Sequence, residues 1–138
     1  MASSELASQR RAIRSAALPA PRFRYTPVVA AGPFAFVSGM IGLDPASGAL
    51  AAGGARAEAA QILANLQALL AEQGWSLEQI VVARLYCSDF TAFPEINAAW
   101  EACFANGVPP ARTSIGVSAL PLGAAVEMEF QLIVGSPA

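Results

Sequence analysis

Arg112-Thr113-Ser114-Ile115-Gly116-Val117-Ser118 and Ala125-Val126-Glu127-Met128-Glu129-Phe130-Gln131-Leu132-Ile133-Val134, with Pro121-Leu122-Gly123 between them, decide how the fold is read. The second run alternates without a break. Val126, Met128, Phe130 and Leu132 are apolar, while Glu127, Glu129 and Gln131 are polar. Strand side chains repeat faces every two residues, so this is a strand with one face in a core. The Pro-Leu-Gly stretch predicts a turn, and the two runs together predict a β-hairpin. In the register centred on that turn Ile115 faces Met128 and Val117 faces Val126. The other face then carries Arg112, Ser114, Gly116, Glu127, Glu129 and Gln131.

Upstream of this hairpin the pattern changes period. Ala57 to Gln73 is the clearest helix: Ile62, Leu63, Leu66, Leu69 and Leu70 form one stripe, and Gly74 stands where a C-terminal cap belongs. A second helix is predicted from Phe93 to Phe104, with Pro94 and Glu95 in its first turn. Three more strands are expected: Arg22 to Val29, an edge strand broken by Pro27; Phe34 to Gly39; and Ile80 to Cys87. The order β-β-α-β-α-β-β predicts an α+β domain, one sheet with two helices on one face. Phe34–Gly39 and Ile80–Cys87 are apolar on both faces, and helices cover only one of them. A subunit interface is therefore expected on the other. Residues 1–20 read as a flexible N-terminal tail, and 21–138 as a single domain.

Composition narrows the function. Apolar residues make up 55% of the 138 and charged residues only 13%, with a mean hydropathy of +0.48. No run reaches the roughly 20 apolar residues of a membrane span, so the hydrophobicity points to an oligomer instead. The net charge of −2 argues against a nucleic-acid partner. There is no histidine, and all eight basic residues are arginine. His-dependent triads, Schiff-base lysines and the phosphate-loop lysine are thereby excluded, and no metal or cofactor is expected. Cys87 and Cys103 match no zinc or redox spacing and read as buried bystanders. Together with the lack of a secretory pattern they predict a reducing, cytoplasmic compartment.

What chemistry remains must use carboxylates, hydroxyls, thiols, backbone groups or a guanidinium. Arg112 offers a rigid fork for a substrate carboxylate. A glutamate on the same face could hold a water near an electrophilic carbon. An iminium carbon is already activated, so its hydrolysis needs little beyond orientation, water and proton transfers. The bland alternative is that Glu127, Glu129 and Gln131 form an ordinary solvated face. In the hairpin register Arg112 sits opposite Gln131, which leaves Glu127 about 13 Å away along the strand at ~3.3 Å per residue. Either the hairpin is wrong, or the pocket draws on a neighbouring chain.

From about Pro21 to Val134 the chain resembles the Rid (YjgF-type) family of reactive intermediate deaminases. The resemblance rests on Phe36-Val37-Ser38-Gly39, then Ile41-Gly42-Leu43-Asp44-Pro45 and Gly48. It continues through Phe93, Ile96-Asn97-Ala98, Trp100-Glu101 and Pro110-Ala111-Arg112-Thr113, and ends in Ala119-Leu120-Pro121-Leu122-Gly123 and Val126-Glu127-Met128-Glu129. It implies a chorismate-mutase-like α+β subunit, a homotrimer with pockets at the subunit interfaces, and no cofactor. It also implies conversion of 2-imino or 2-enamino acids, such as 2-aminoacrylate or 2-iminobutanoate, to 2-keto acids and ammonia. By the same resemblance Arg112 binds the carboxylate and Glu127 positions the hydrolytic water. Tyr25, Ser38, Gly39 and Asn97 line the pocket, and Ser114 stands at the family's usual cysteine. Phe23 and Arg24 replace the usual Gly-Pro, and Met40 a frequent glutamine, which bears on the substrate side chain. The alternatives are a non-catalytic trimer that binds small acids, a pathway-specific relative such as an aminomuconate-type deaminase, and a ribonuclease.

Overall fold

The computed structural model describes residues 5–6 and 9–135. The ends of the chain, including parts of the expected tail and the last three residues of the expected domain, lie outside the described residues. The strands are β1 (Arg10–Ala12), β2 (Val28–Ala31), β3 (Phe34–Met40), β4 (Ile80–Cys87), β5 (Ala111–Gly116) and β6 (Val126–Ile133). The helices are α1 (Ala55–Gln73), between β3 and β4, and α2 (Phe93–Cys103), between β4 and β5. From β2 onward this is the β-β-α-β-α-β-β order expected, a mixed α+β fold with one six-stranded sheet. Arg10–Ala12, inside the stretch expected as a tail, adds a strand antiparallel to β2.

The strand order is β1-β2-β3-β6-β4-β5, which corrects the hairpin. β6 lies between β3 and β4 and is antiparallel to both. β5 pairs only with β4, and in parallel. Met128 therefore sits across from Leu85 and Met40 rather than Ile115, which is exposed. The physical reason is visible in the side chains. Val126, Met128, Phe130 and Leu132 give β6 four fully apolar core positions, enough for a central strand. β5 offers Arg112, Ser114 and Gly116 to the same face, fills little core, and goes to the edge. Parallel pairing with β4 follows from α2, the crossover such a pair requires.

α1 and α2 close a single core over one face. Ile62, Leu66 and Leu69 from α1, and Ile96 and Trp100 from α2, meet Ala83, Leu85 and Cys87 of β4 and the apolar row of β6. Gly74 caps α1 in the left-handed conformation, and Trp75 N–H donates to the Leu70 carbonyl behind it. The outer face of the sheet carries exposed Phe34, Phe36, Ile115 and Ile133. Phe34, Phe36 and Ile133 sit together there, the two rings 6.5 Å apart between centres.

Candidate active site

The residues singled out in the sequence gather in two places. On the outer face, alternation in β6 points Glu127 away from the core, beside the end of β3. The β3–β6 register shifts between Val37 and Met40, so the strand irregularity falls at Ser38-Gly39. A Cβ on Gly39 would lie 2.8 Å from the Glu127 carboxyl carbon and 3.1 Å from each of its oxygens. Only glycine lets the carboxyl group rest against the strand there. Ser38 ties this point to the preceding loop: its Oγ donates to the Thr26 carbonyl at 2.7 Å, and its N–H to the Pro27 carbonyl at 2.8 Å. That loop carries Tyr25, about half exposed. Tyr25, Ser38, Gly39 and Glu127 line one cavity of about 380 Å³.

Burial holds the Glu127 carboxyl above the ordinary carboxylate range, and the negative Glu129 two residues on adds to the shift. Glu129 is itself fixed by Tyr86, whose hydroxyl donates to its Oε1. That bond, with burial and the charge of Glu129, raises the Tyr86 phenol in turn. The Glu127 carboxyl thus holds a proton more readily than a free glutamate does, at the wall of the cavity.

The second place is on the helix face, at the far edge. Arg112 of β5 pairs with Ala83, a core position, and points toward α2. Its Nη1 donates to Asn97 Oδ1 at 2.8 Å, and Asn97 Nδ2 donates to Glu101 Oε1 at 3.1 Å. The guanidinium carbon stands 5.4 Å from the centre of the Phe93 ring and 5.2 Å from that of Trp100. Asn97 takes one of five N–H donors, and the rings hold the plane. The head group is exposed yet oriented. Ser114, partly buried, follows two residues along the same face. Cys87 is buried below, its thiol pushed up by burial against the opposing influence of Arg112.

One protomer does not bring the two groups together. Tyr86 pairs with Glu127 on one side and Ile115 on the other, and Arg112 lies three residues before Ile115. Two strand spacings and three residues put their Cα atoms roughly 14 Å apart. The side chains leave opposite faces. Tyr25, Ser38, Gly39 and Glu127 therefore form one cluster, and Asn97, Arg112 and Ser114 another. Sequence reasoning missed Leu122, assigned only to a turn, which lines the Glu127 cavity. It also missed the use of Phe93 and Trp100 as a platform for Arg112. Their helical spacing read as core alone.

A family model described as endoribonuclease L-PSP matches residues 15–134. The chain belongs to this family, the Rid or YjgF family. Among its curated relatives in the family is a RutC family protein of Aquifex aeolicus, 38% identical over 121 residues, covering 87% of this chain and 96% of that one. A 2-iminobutanoate/2-iminopropanoate deaminase of Capra hircus is 35% identical over 126 residues, 91% of each chain. The crystal structure of RidA from an Antarctic Psychrobacter superposes with a TM-score of 0.83 and 31% identity, over 90% of this chain and 99% of that chain. The Rid fold is therefore shared over 90% of the chain. Among the described residues no cluster of three metal-binding side chains occurs, and no helix is long and apolar enough to cross a membrane.

Proposed function

We propose that this Rid protein hydrolyses reactive 2-imino and 2-enamino acids to 2-keto acids and ammonia, in sites assembled between copies of the chain. One observation carries the reading. An oriented, exposed guanidinium and a proton-exchanging carboxyl group occupy opposite faces of one sheet, so each is half a site that a second copy completes. The exposed apolar outer face supplies the surface for that assembly, which the resemblance implies is a homotrimer. Imine deaminase relatives at about a third identity support the activity.

In the assembled site Arg112 of one copy grips the substrate carboxylate with its free fork, while Asn97 keeps the fork in plane. Ser114, beside it on the edge strand, offers a further hydrogen bond. Glu127 of the neighbouring copy faces C2. For an enamine, proton delivery to C3 first gives the imine. Water then adds to C2 of the protonated imine, and Glu127 takes the proton that water loses. Glu127 returns that proton to nitrogen, the C–N bond breaks with its electron pair on nitrogen, and the hydroxyl gives its proton to the Glu127 carboxylate as its oxygen becomes the keto oxygen. The released ammonia takes that proton and leaves Glu127 ready for the next turnover. The net change is imine plus water to keto acid plus ammonia. A carboxyl group with a raised pKa suits both halves of this exchange.

The test is to generate 2-aminoacrylate from serine with a PLP-dependent dehydratase and follow pyruvate. Acceleration over the spontaneous rate supports the reading. If the rate stays at the spontaneous value for serine and threonine alike, while pyruvate still binds and Arg112→Ala abolishes that binding, the chain is a small-acid-binding protein instead.

A further inference from the structure

The Glu127 cavity is larger than a three-carbon acid needs. Its volume is about 380 Å³, and a cavity of about 150 Å³ already accommodates benzene. Beyond Glu127, Gly39, Ser38 and Tyr25 its walls include Leu18, Phe23, Met40, Leu43, Pro121 and Leu122. Asn65 and Arg22, the polar side chains at that end, make hydrogen bonds within the protein. Asn65 donates to the Leu43 carbonyl at 2.8 Å and accepts from Gln61 at 2.9 Å, and Arg22 donates to the Gly48 carbonyl. An incoming group meets hydrocarbon there.

Leu122 adds an independent observation. Its φ is 57°, and it is the non-glycine residue with positive φ among the described residues. An L-residue is strained in that region, and a leucine has no local hydrogen bond to offset the strain. Core packing does not hold it there, because its side chain is 55% exposed. What the strained turn achieves is to set a leucine against the cavity. Phe23, 79% exposed, stands over the same space from the loop before β2. Strain kept at a cavity wall, with no gain in burial, points to a role in binding.

We infer that the cavity beside Glu127 selects 2-imino acids with bulky apolar side chains, branched aliphatic or aromatic, with Leu122 and Phe23 as specificity-determining residues. This rests on the deaminase reading above. The substrate lies with C2 at Glu127, its carboxylate toward the partner's Arg112, and its side chain along Met40 and Leu43 under Leu122.

The experiment uses the intact protein and an amino-acid oxidase that makes 2-imino acids in situ. Semicarbazide traps the imine, and loss of semicarbazone measures the deaminase. The leucine- and phenylalanine-derived imines are expected to exceed the alanine-derived one by about ten-fold or more in kcat/KM. Leu122→Gly relieves the backbone strain, so its melting temperature is expected not to fall, while that ratio drops by about four-fold or more. Phe23→Ser, at an exposed position, is expected to lower the ratio in the same direction. Equal or better turnover of the alanine-derived imine overturns the inference and leaves the deaminase reading intact. Preference for an acidic side chain, with aspartate- or glutamate-derived imine, also overturns it and hands the cavity to Arg22. Failure to accelerate any imine sinks the underlying reading as well.

Discussion

The β3–β6 half and the β5–α2 half of the proposed site are built on opposite principles. The first is concave: Glu127 is partly buried, packed against a glycine that makes room for it, and its proton affinity is raised by its surroundings. The second is an open plate: Arg112 lies exposed across two aromatic rings with an amide fixing its edge. Desolvation raises the proton affinity of a carboxyl group, and Glu127 lies in a recess. A guanidinium stays charged wherever it is, so it needs only orientation and can stand at an edge. The residues that cannot be tuned are displayed, and the residue that must be tuned is enclosed.

If that division is right, the two halves respond differently to mutation. Arg112→Ala removes the only oriented cation of its half and is expected to lower kcat/KM on the order of a hundred-fold or more, with the melting temperature nearly unchanged. Arg112→Lys should recover little, since an ammonium cannot reproduce the fork. A drop in stability with unchanged turnover would mean that Arg112 serves the fold instead. Gly39→Ala places a methyl group where the Glu127 carboxyl rests, and the flexible side chain must swing away, so turnover should fall with little change in stability. The pH profile of kcat/KM in the semicarbazide assay separates it from Arg112→Ala, which leaves the Glu127 carboxyl in place.

Asn97→Ala tests the plate more gently. One hydrogen bond is lost at an exposed site, worth about 0.5–1.5 kcal/mol, so KM should rise roughly three- to ten-fold with kcat less affected. The smallest effect concerns the recess and is read against pH. Because burial raises Glu127 above its unfolded value, folding favours its protonated form. That contribution is complete below the unfolded pKa and disappears as pH rises through the folded one. Glu127→Gln removes the titration, so the variant should gain stability relative to the parent as pH rises from the ordinary glutamate range through the raised folded-state pKa. Glu129→Gln should move the acid limb of kcat/KM to lower pH, as the neighbouring negative charge is removed. An unmoved limb would separate Glu129 from Glu127.

The same contrast explains what the sequence could carry. Ile80–Cys87 is observed with the bounds expected, and α1 ends at Gln73 before Gly74 as its stripe and cap require. Period and capping are local, and local signals survive without knowledge of neighbours. Strand order is not local. The alternation in Val126–Ile133 is the same whether the strand beside it is β5 or β4, and the turn at Pro121-Leu122-Gly123 suggested the wrong one. Counting core positions would have favoured β6 for the centre, since Arg112 and Ser114 leave β5 little to bury. For the site, the residue types were legible but their faces were not. Arg112 and Glu127 were placed on one face by the hairpin register, and parallel pairing of β5 with β4 moves Arg112 to the other. Leu122 escaped notice because a positive φ at leucine leaves no mark in sequence.

The most direct test mixes two inactive variants. Arg112→Ala and Glu127→Gln chains, unfolded together and reassembled, place an intact Arg112 beside an intact Glu127 at some interfaces only if each site draws on two copies. In a trimer assembled at random from equal amounts, about a quarter of wild-type activity should return. If the mixture stays as inactive as either variant alone, although mass measurement shows mixed oligomers, the two halves do not meet across subunits and the proposed site is wrong.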